Sequence, residues 1–435
     1  MGKVVPIEGG DGRPRASRTR RRSRSRADKT ALVLGGGGFT GGVYEIGALR
    51  ALDLLAVNST VNEFDVYVGT SAGSFVASMT ANGITPEEMM RVLNKALPSP
   101  IADPKLRTLL RPNYRAWASR MALLPLRTVG TLRHLAANIG EVSMVDLAMG
   151  IAEGLPTGIY NNRGLERYMA EVLSDPDRSN DFRELRRELL LTATDVDTCE
   201  RLVLGKGEWA DVPVSKAVAA STALPMVYEP IELRGRQLMD GGIASTTNVD
   251  VAVDAGAKFI IVVNPLVPYV NDFEAKIPTM FGSRVRRVSD MGLPGIANQA
   301  FRLMAHARLQ LAVESWQHRF PDVDIILIEP EPDDELMFGT SVLDYSSRLK
   351  IAKHGFESVT QKLARDYPRY KEIAARHGIE ISARRVRKVL ETVSEQERGG
   401  GLSAWRRVLE QTTGALLRQS GEAPEAAEPG LKRSP

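Results

Sequence analysis

The chain is short of the residues on which many sites and scaffolds depend. Among 435 residues there is one cysteine, Cys199, so no disulfide can form within the chain, and a reducing compartment is the natural fit. No apolar run approaches the roughly 20 residues of a membrane span. The longest, FIIVVNPLV from Phe259 to Val267, has the length of a buried strand. There are five histidines, His134, His306, His318, His354 and His377, and none stands in a motif. Acidic residues are scarce at the N-terminus, where residues 1–29 hold ten Lys or Arg against three acids. The run RPRASRTRRRSRSRADK has no apolar residue besides alanine, so it cannot bury a core and reads as a disordered tail. It suits an anionic membrane surface or nucleic acid, or serves only as a solubilising arm. A twin-arginine export signal would need an apolar segment next, and TALVLGGGG is better explained as a first strand. With no usable signal peptide and no span, the expected location is the cytoplasm, peripherally at membranes.

What remains is ordinary globular composition, 43% hydrophobic and 25% charged, enough for one large domain or two smaller ones. TALVLG (Thr30 to Gly35) predicts a buried strand. GVYEIGALRALDLLA predicts a helix, with Val43, Ile46, Leu49, Leu52 and Leu55 at helical spacing. FDVYVG and SFVASMTANG repeat the pair, and two such units in succession predict a parallel α/β fold. Further strands are predicted at ELLLTATDV, ERLVLGK, IELRGRQLMD, KFIIVVNP and DVDIILIEP. Helices are predicted at VSKAVAAS, NVDVAVDAG and the long GIANQAFRLMAHARLQLAVESWQHRF. One segment breaks the alternation: Pro104 to Gly140 carries seven Lys or Arg, no Asp or Glu, and interleaved Leu109, Leu110, Tyr114, Trp117, Met121, Leu123, Leu124, Leu126 and Leu132. That mixture suits an interfacial or lid-like surface over a lipid, or a helical insertion packed on the core with a basic outer side.

Two glycine-rich segments carry candidate chemistry. Gly36, Gly38 and Gly41 satisfy the dinucleotide pattern G-x-G-x-x-G, a weak signal in a turn so rich in glycine. The acid that should end the second strand is missing, since Asp53 falls inside the first predicted helix, and Gly42 stands where a phosphate loop needs lysine. Gly69-Thr70-Ser71-Ala72-Gly73 is a sharper signal, G-x-S-x-G between a strand and a helix. Glycines at −2 and +2 relieve crowding in a strained turn that lifts the serine Oγ off the sheet edge at a helix N-terminus. A serine nucleophile needs a base. The order Ser71, Asp240, His306 admits an α/β-hydrolase triad, yet in that fold several strands precede the elbow, whereas Ser71 ends the second. The other candidate is Asp240 itself, in LMDGG, where Gly241 and Gly242 allow close approach to another backbone. Acting directly on serine, it would need partial desolvation to raise its proton affinity.

Taken together, GGGGFTGG after the first strand, GTSAG after the second and DGG late in the domain resemble the patatin-like phospholipases, or lipid acyl hydrolases. LPTGIYNNRGLERYM, LTATDVDT and AVAASTALPMVYEPIEL are softer matches, and the resemblance runs from about Leu32 to Pro265. It implies a three-layer α/β/α fold around a mostly parallel sheet, an acyl-enzyme mechanism and a Ser–Asp dyad without histidine. Carried over, Ser71 is the nucleophile and Asp240 the proton acceptor. The amides of Gly36, Gly37 and Gly38 form the oxyanion hole, with Gly41, Gly69, Gly73, Gly241 and Gly242 as motif glycines. It implies neither metal nor cofactor. The expected substrate is a lipid ester, the expected surface an anionic membrane met by the basic tail and insertion, and nucleic acid is not an expected partner. Two departures stand out: Thr40 replaces the usual Lys or Arg before the last glycine of the loop, and IASTTNVD replaces the usual Asn…Pro stretch after D-G-G, as in a bacterial subset. A nucleotide-binding protein using the glycine loop, and a decayed hydrolase retained for membrane or nucleic-acid association, are the competing readings. The expected domains are a tail at 1–29, a catalytic domain at 30–365 with motif core 32–265 and insertion near 98–155, a charged helical extension at 366–418, and a tail at 419–435.

Overall fold

In a computed structural model of the chain, residues 5–7, 28–94, 101, 103–104, 106–122, 154–271, 277–278, 284–340, 346–385 and 387–388 are described. Residues 1–382 form one compact unit and 383–435 a second, of which 383–385 and 387–388 are helical. Among the described residues the first unit carries a nine-stranded sheet. Its strands are β1 (Val5–Ile7), β2 (Lys29–Leu34), β3 (Val66–Thr70), β4 (Glu188–Asp195), β5 (Arg201–Leu204), β6 (Ile231–Leu233), β7 (Arg236–Asp240), β8 (Ala257–Val263) and β9 (Asp324–Ile328). They lie in the order β1-β9-β8-β2-β3-β4-β7-β6, with β5 also against β4. The five central strands from β9 to β4 are parallel. Being covered on both faces, they read in sequence as nearly unbroken apolar runs.

The principal helices are α1 (Gly38–Leu55), α2 (Ala72–Ala81), α3 (Pro86–Leu93), α4 (Arg163–Val172), α5 (Val214–Ser221), α6 (Val249–Asp254), α7 (Gly292–Arg319), α8 (Arg348–Arg365) and α9 (Tyr367–Arg376). One face of the sheet, through Ala31, Val33, Val66, Val68, Ile260 and Ile325, packs on Val249, Val251 and Ala252 of α6 and on Leu309 and Trp316 of α7. On the other side α2 packs on β2 and β3, α5 on β4, and α1 on α2 and α8. Glycine sets the α1–α8 approach. A Cβ on Gly47 would stand 2.1 Å from the Ala352 carbonyl oxygen, and one on Gly355 would stand 2.5 Å from that of Tyr44. Among the described residues no helix is long and apolar enough to cross a membrane.

The geometry of β4 positions the rest. Its Leu191–Thr194 pairs with β5 along one edge, which leaves the other edge for both β3 and β7. These two lie end to end from opposite directions: Thr70 stands opposite Thr192 and Asp240 opposite Ala193, the next residue.

Four expectations need correction. IELRGRQLMD is not one strand but the hairpin β6–β7, because Arg234 and Gly235 both take positive φ (53° and 75°), as a two-residue hairpin turn requires. The N-terminal tail is not wholly without structure, since Val5–Ile7 adds antiparallel to the edge strand β9, whose backbone groups would otherwise lack partners. Residues 1–4 and 8–27 lie outside the described residues. Helix α1 begins at Gly38, inside the glycine run, because the loop is held by packing: Cβ atoms on Gly37 and Gly41 would meet Pro265 at 2.8 and 2.9 Å. The boundary at 366 also moves, as α9 belongs to the first unit. Tyr370, Ile373 and Ala374 are buried, His377 stacks on Phe259, and Ile381 bridges Ala56. Its charged outer face had hidden that apolar side.

Within the expected insertion, residues 114–122 are helical, while Arg111–Pro112 pairs with Gly158–Asn161, which in turn pairs with Met226–Tyr228. The expectations for 123–153, including Leu123, Leu124, Leu126, Leu132 and His134, lie outside the described residues, as do those for 389–418 of the helical extension and for the tail at 419–435.

Gly47→Ala is expected to force α1 and α8 apart, because the nearest atoms are backbone that has nowhere to move. The loss should be about 3 kcal/mol of unfolding free energy, read as a lower urea midpoint at unchanged slope.

Candidate active site

Ser71 sits between β3 and α2 with φ 54° and ψ −126°. A non-glycine residue held there costs on the order of 1–3 kcal/mol, which the surrounding packing must offset. The flanking glycines make the turn possible. A Cβ on Gly69 would lie 2.5 Å from Ser74 Cα, and one on Gly73 would lie 2.4 Å from the Leu34 carbonyl oxygen. The Ser71 amide donates to Ser221 Oγ at 2.9 Å, and Ser74 closes the turn onto the Ser71 carbonyl at 2.9 Å.

Asp240 ends β7 and meets that turn. Ser71 Oγ donates to Asp240 Oδ2 at 2.5 Å, and the Gly242 amide donates to Oδ1 at 2.8 Å. The carboxylate is 2% exposed. Burial pushes its pKa from 3.8 up to about 6, against the opposing pull of the two hydrogen bonds. Gly241 is required by contact, since its Cβ would lie 2.4 Å from the Thr192 carbonyl oxygen. None of the four described histidines bonds to either residue. His354 pairs with Asp334, His377 with Asp324 at 2.8 Å, and His306 with Gln310 at 3.2 Å, while His318 is exposed.

The glycine loop runs beside Ser71: a Cβ on Gly36 would stand 3.3 Å from Ser71 Cβ. Gly35 donates to the Val263 carbonyl at 2.9 Å and accepts from the Gly73 amide at 3.1 Å, which ties β8, the loop and the serine turn together. The three amides of Gly36–Gly38 are not equivalent. That of Gly36 donates to the Thr246 carbonyl at 3.3 Å, whereas those of Gly37 and Gly38 make no hydrogen bond among the described residues and open the N-terminus of α1. Thr40 is buried in the first turn of α1. Asp53, at the dinucleotide distance, instead accepts from the Val61 amide at 3.1 Å.

Sequence reasoning missed the supports behind the pair. Asn248, buried and left-handed at φ 42°, donates to Thr70 Oγ1 (2.8 Å), Thr192 Oγ1 (3.1 Å) and the Ser245 carbonyl (2.8 Å). It thereby pins the end of β3, the middle of β4 and the loop after Asp240 to one side chain. Arg201 holds Asn248 Oδ1 at 2.9 Å and pairs with Asp250 at 2.5 Å. Thr194 donates to the Asp240 carbonyl at 3.1 Å. A lone asparagine eight residues after Asp240 was the available signal, since asparagine tolerates φ > 0 better than most residues.

An apolar pocket opens from Ser71 between α1, α2, α3 and α4. Phe39, Val43, Phe75, Val76, Met89, Val92, Leu165 and Tyr168 line it, joined by Leu109 and Leu110 from the basic insertion and by Leu224 and Tyr228. The α3 wall is fixed by a capping box, in which the Glu88 amide donates to Thr85 Oγ1 (3.2 Å) and the Thr85 amide to the Glu88 carboxylate (2.7 Å).

Residues 32–253 match the family model for patatin-like phospholipases. A protein of Invertebrate iridescent virus 6 named "Probable lipid hydrolase 463L" is 22% identical over 222 residues, 51% of this chain and 62% of the viral protein, so the chain spans less than two-thirds of that relative. Among solved structures, VipD from Legionella pneumophila is 15% identical, with 78% of this chain and 67% of that chain covered at a TM-score of 0.32. The type III effector ExoU of Pseudomonas aeruginosa is 14% identical, with 78% and 53% covered, also at 0.32.

Because its proton affinity is raised in the fold, Asp240 contributes stability that is fully present below about pH 4, near its unfolded pKa, and lost as pH rises through about 6. Asp240→Asn keeps the shape without the charge. It is expected to stabilise the protein at pH 8 by about 2–3 kcal/mol and to be near neutral at pH 4. Urea unfolding at both pH values tests this, and a difference independent of pH would contradict it.

Proposed function

Starting from the fact that the chain belongs to the patatin-like phospholipase family, we propose that it is a serine lipid acyl hydrolase working through a Ser71–Asp240 dyad. The observation that carries this reading is the 2.5 Å hydrogen bond from a strained serine to a buried aspartate whose pKa is raised to about 6. An ordinary surface carboxylate is too weak a base for a hydroxyl; desolvation brings Asp240 toward the pH at which it works. As Ser71 Oγ bonds to the ester carbonyl carbon, its proton passes to Asp240 Oδ2. The carbonyl oxygen becomes an oxyanion, met by the free amides of Gly37 and Gly38 at the α1 N-terminus, where the helix dipole also favours negative charge. The Gly36 amide joins them by exchanging its long bond to Thr246. Thr40 adds no charge, so this hole rests on backbone dipoles alone. Collapse breaks the ester C–O bond, and Asp240 returns its proton to the leaving alcohol. Water then repeats the sequence on the acyl-enzyme, with Asp240 again the base, and releases the fatty acid.

The apolar pocket supports a long acyl chain as the group delivered to Ser71, with almost no polar partner for anything else. Phospholipids and lysophospholipids fit this chemistry. The basic tail and insertion suit an anionic membrane as the place where substrate is met.

Ser71→Ala is expected to fold, to lose fluorophosphonate labelling, and to lose ester turnover by at least ~10³-fold. In the wild type, kcat/KM should fall as pH drops through about 6, because protonated Asp240 cannot accept the serine proton. Near wild-type turnover in Asp240→Asn would refute the dyad.

A further inference from the structure

We propose that the outer face of α7 docks the protein onto an anionic lipid bilayer. Leu293, Ile296, Ala300, Leu303 and Ala307 recur at alternating spacings of three and four, with Met304 and Leu311 alongside. On a helix that pattern makes one continuous face. The face is open to solvent: Leu293 is 82% exposed, Leu311 68%, Met304 58% and Leu303 53%. The opposite face is apolar as well, and Ala305, Leu309 and Trp316 bury it in the core. Scattered surface leucines need no explanation, but five turns of them on one helix do.

Charge selects the occupant. From Gly292 to Val313 there is no Asp or Glu. Arg286 and Arg287 are exposed ahead of the helix, with Asp290 between them and its first residue, and Arg308 is exposed upon it. An apolar stripe with cationic flanks suits a bilayer interface bearing anionic headgroups. A second copy of the chain is the poorer fit. Eighteen residues at 1.5 Å rise give a stripe about 27 Å long, and with a width of about 10 Å it covers roughly 270 Å², a third of the ~800 Å² per partner of a standard interface.

The helix is fastened to the site on both sides. Arg308 donates to the Ile243 carbonyl, three residues beyond Asp240. Arg302 donates to the Val267 carbonyl at 2.9 Å, two residues past the Pro265 that packs against Gly37. A bilayer gripped by α7 is therefore held against the frame of the dyad and the glycine loop. This proposal rests on the lipid-ester reading of that site.

The test is flotation of the full-length protein with vesicles of phosphatidylcholine and phosphatidylglycerol in equal parts, and with phosphatidylcholine alone, beside turnover of a soluble short-chain ester. Wild type and Ser71→Ala are expected to float with the anionic vesicles. The triple variant Leu293→Gln, Leu303→Gln, Leu311→Gln should lose partitioning by about tenfold or more while keeping ester turnover, which also reports that it is folded. Arg286→Gln with Arg287→Gln should weaken anionic binding and flatten its salt dependence. A triple variant that floats like wild type overturns the proposal. So does a wild-type dimer in sedimentation velocity that the triple variant dissolves with vesicle binding unchanged, since that assigns the stripe to a second copy. Vesicle binding in a wild type without ester turnover would refute the hydrolase reading and leave the docking face standing.

Discussion

The shared edge of β4 is the constraint on which the site depends. With β5 against one edge, β3 and β7 must use the other, and they approach along it from opposite directions. Thr70 and Asp240 therefore fall opposite consecutive residues, Thr192 and Ala193, although 169 positions separate Ser71 from its aspartate. Backbone hydrogen bonds fix this register, and a slip of one residue would turn Asp240 to the other face of the sheet. Asn248, bridging Thr70, Thr192 and Ser245, locks the junction from the side.

That junction stores unfavourable terms. Ser71 is held in a sparsely populated backbone region and Asp240 is held out of water, each at a cost to stability. The offset comes from the parallel sheet, where buried strands and the helices over them have no competing arrangement. Glycine is the enabling residue wherever backbones must nearly touch. Gly69 and Gly73 fold the serine turn onto β2, Gly241 seats the aspartate on β4, and Gly37 and Gly41 press the loop on Pro265. The amides left over are those of Gly37 and Gly38, which make no hydrogen bond among the described residues. A loop that looked like a phosphate cradle thus has one side filled by Pro265 and has Gly36 beside Ser71.

The two exposed apolar features, the pocket and the α7 stripe, lie on different parts of the frame. The pocket is walled by α1 to α4 and by Leu109 and Leu110, so part of the basic insertion acts as lining as well as surface. The α7 stripe lies on the other layer, reaching the site through Arg302 and Arg308. The pocket proposed for an acyl chain and the stripe proposed for a membrane are thus separate surfaces, as one would have to admit its ligand and the other to keep its ligand outside.

Much was legible in the sequence because it was local. The parallel core strands, the helices after them and the G-x-S-x-G turn follow from periodicity and steric need within ten residues. What failed was also local but conditional. Arg234 and Gly235 turn a hairpin only because β7 has β4 to pair with. Val5–Ile7 is a strand only because β9 offers an edge, and α1 starts at Gly38 only because Pro265 holds the loop. Ser221 and Arg201 carried no pattern that could be read before their partners were known, and Asn248 carried only its tolerance of positive φ. By itself the sequence determined most of the elements, the G-x-S-x-G turn and the residue types able to do acyl chemistry, because these depend on neighbours along the chain. Only the tertiary structure decided that Asp240 meets Ser71, that its pKa rises, and which glycine amides stay free, because register, burial and hydrogen-bond competition arise between segments far apart in sequence.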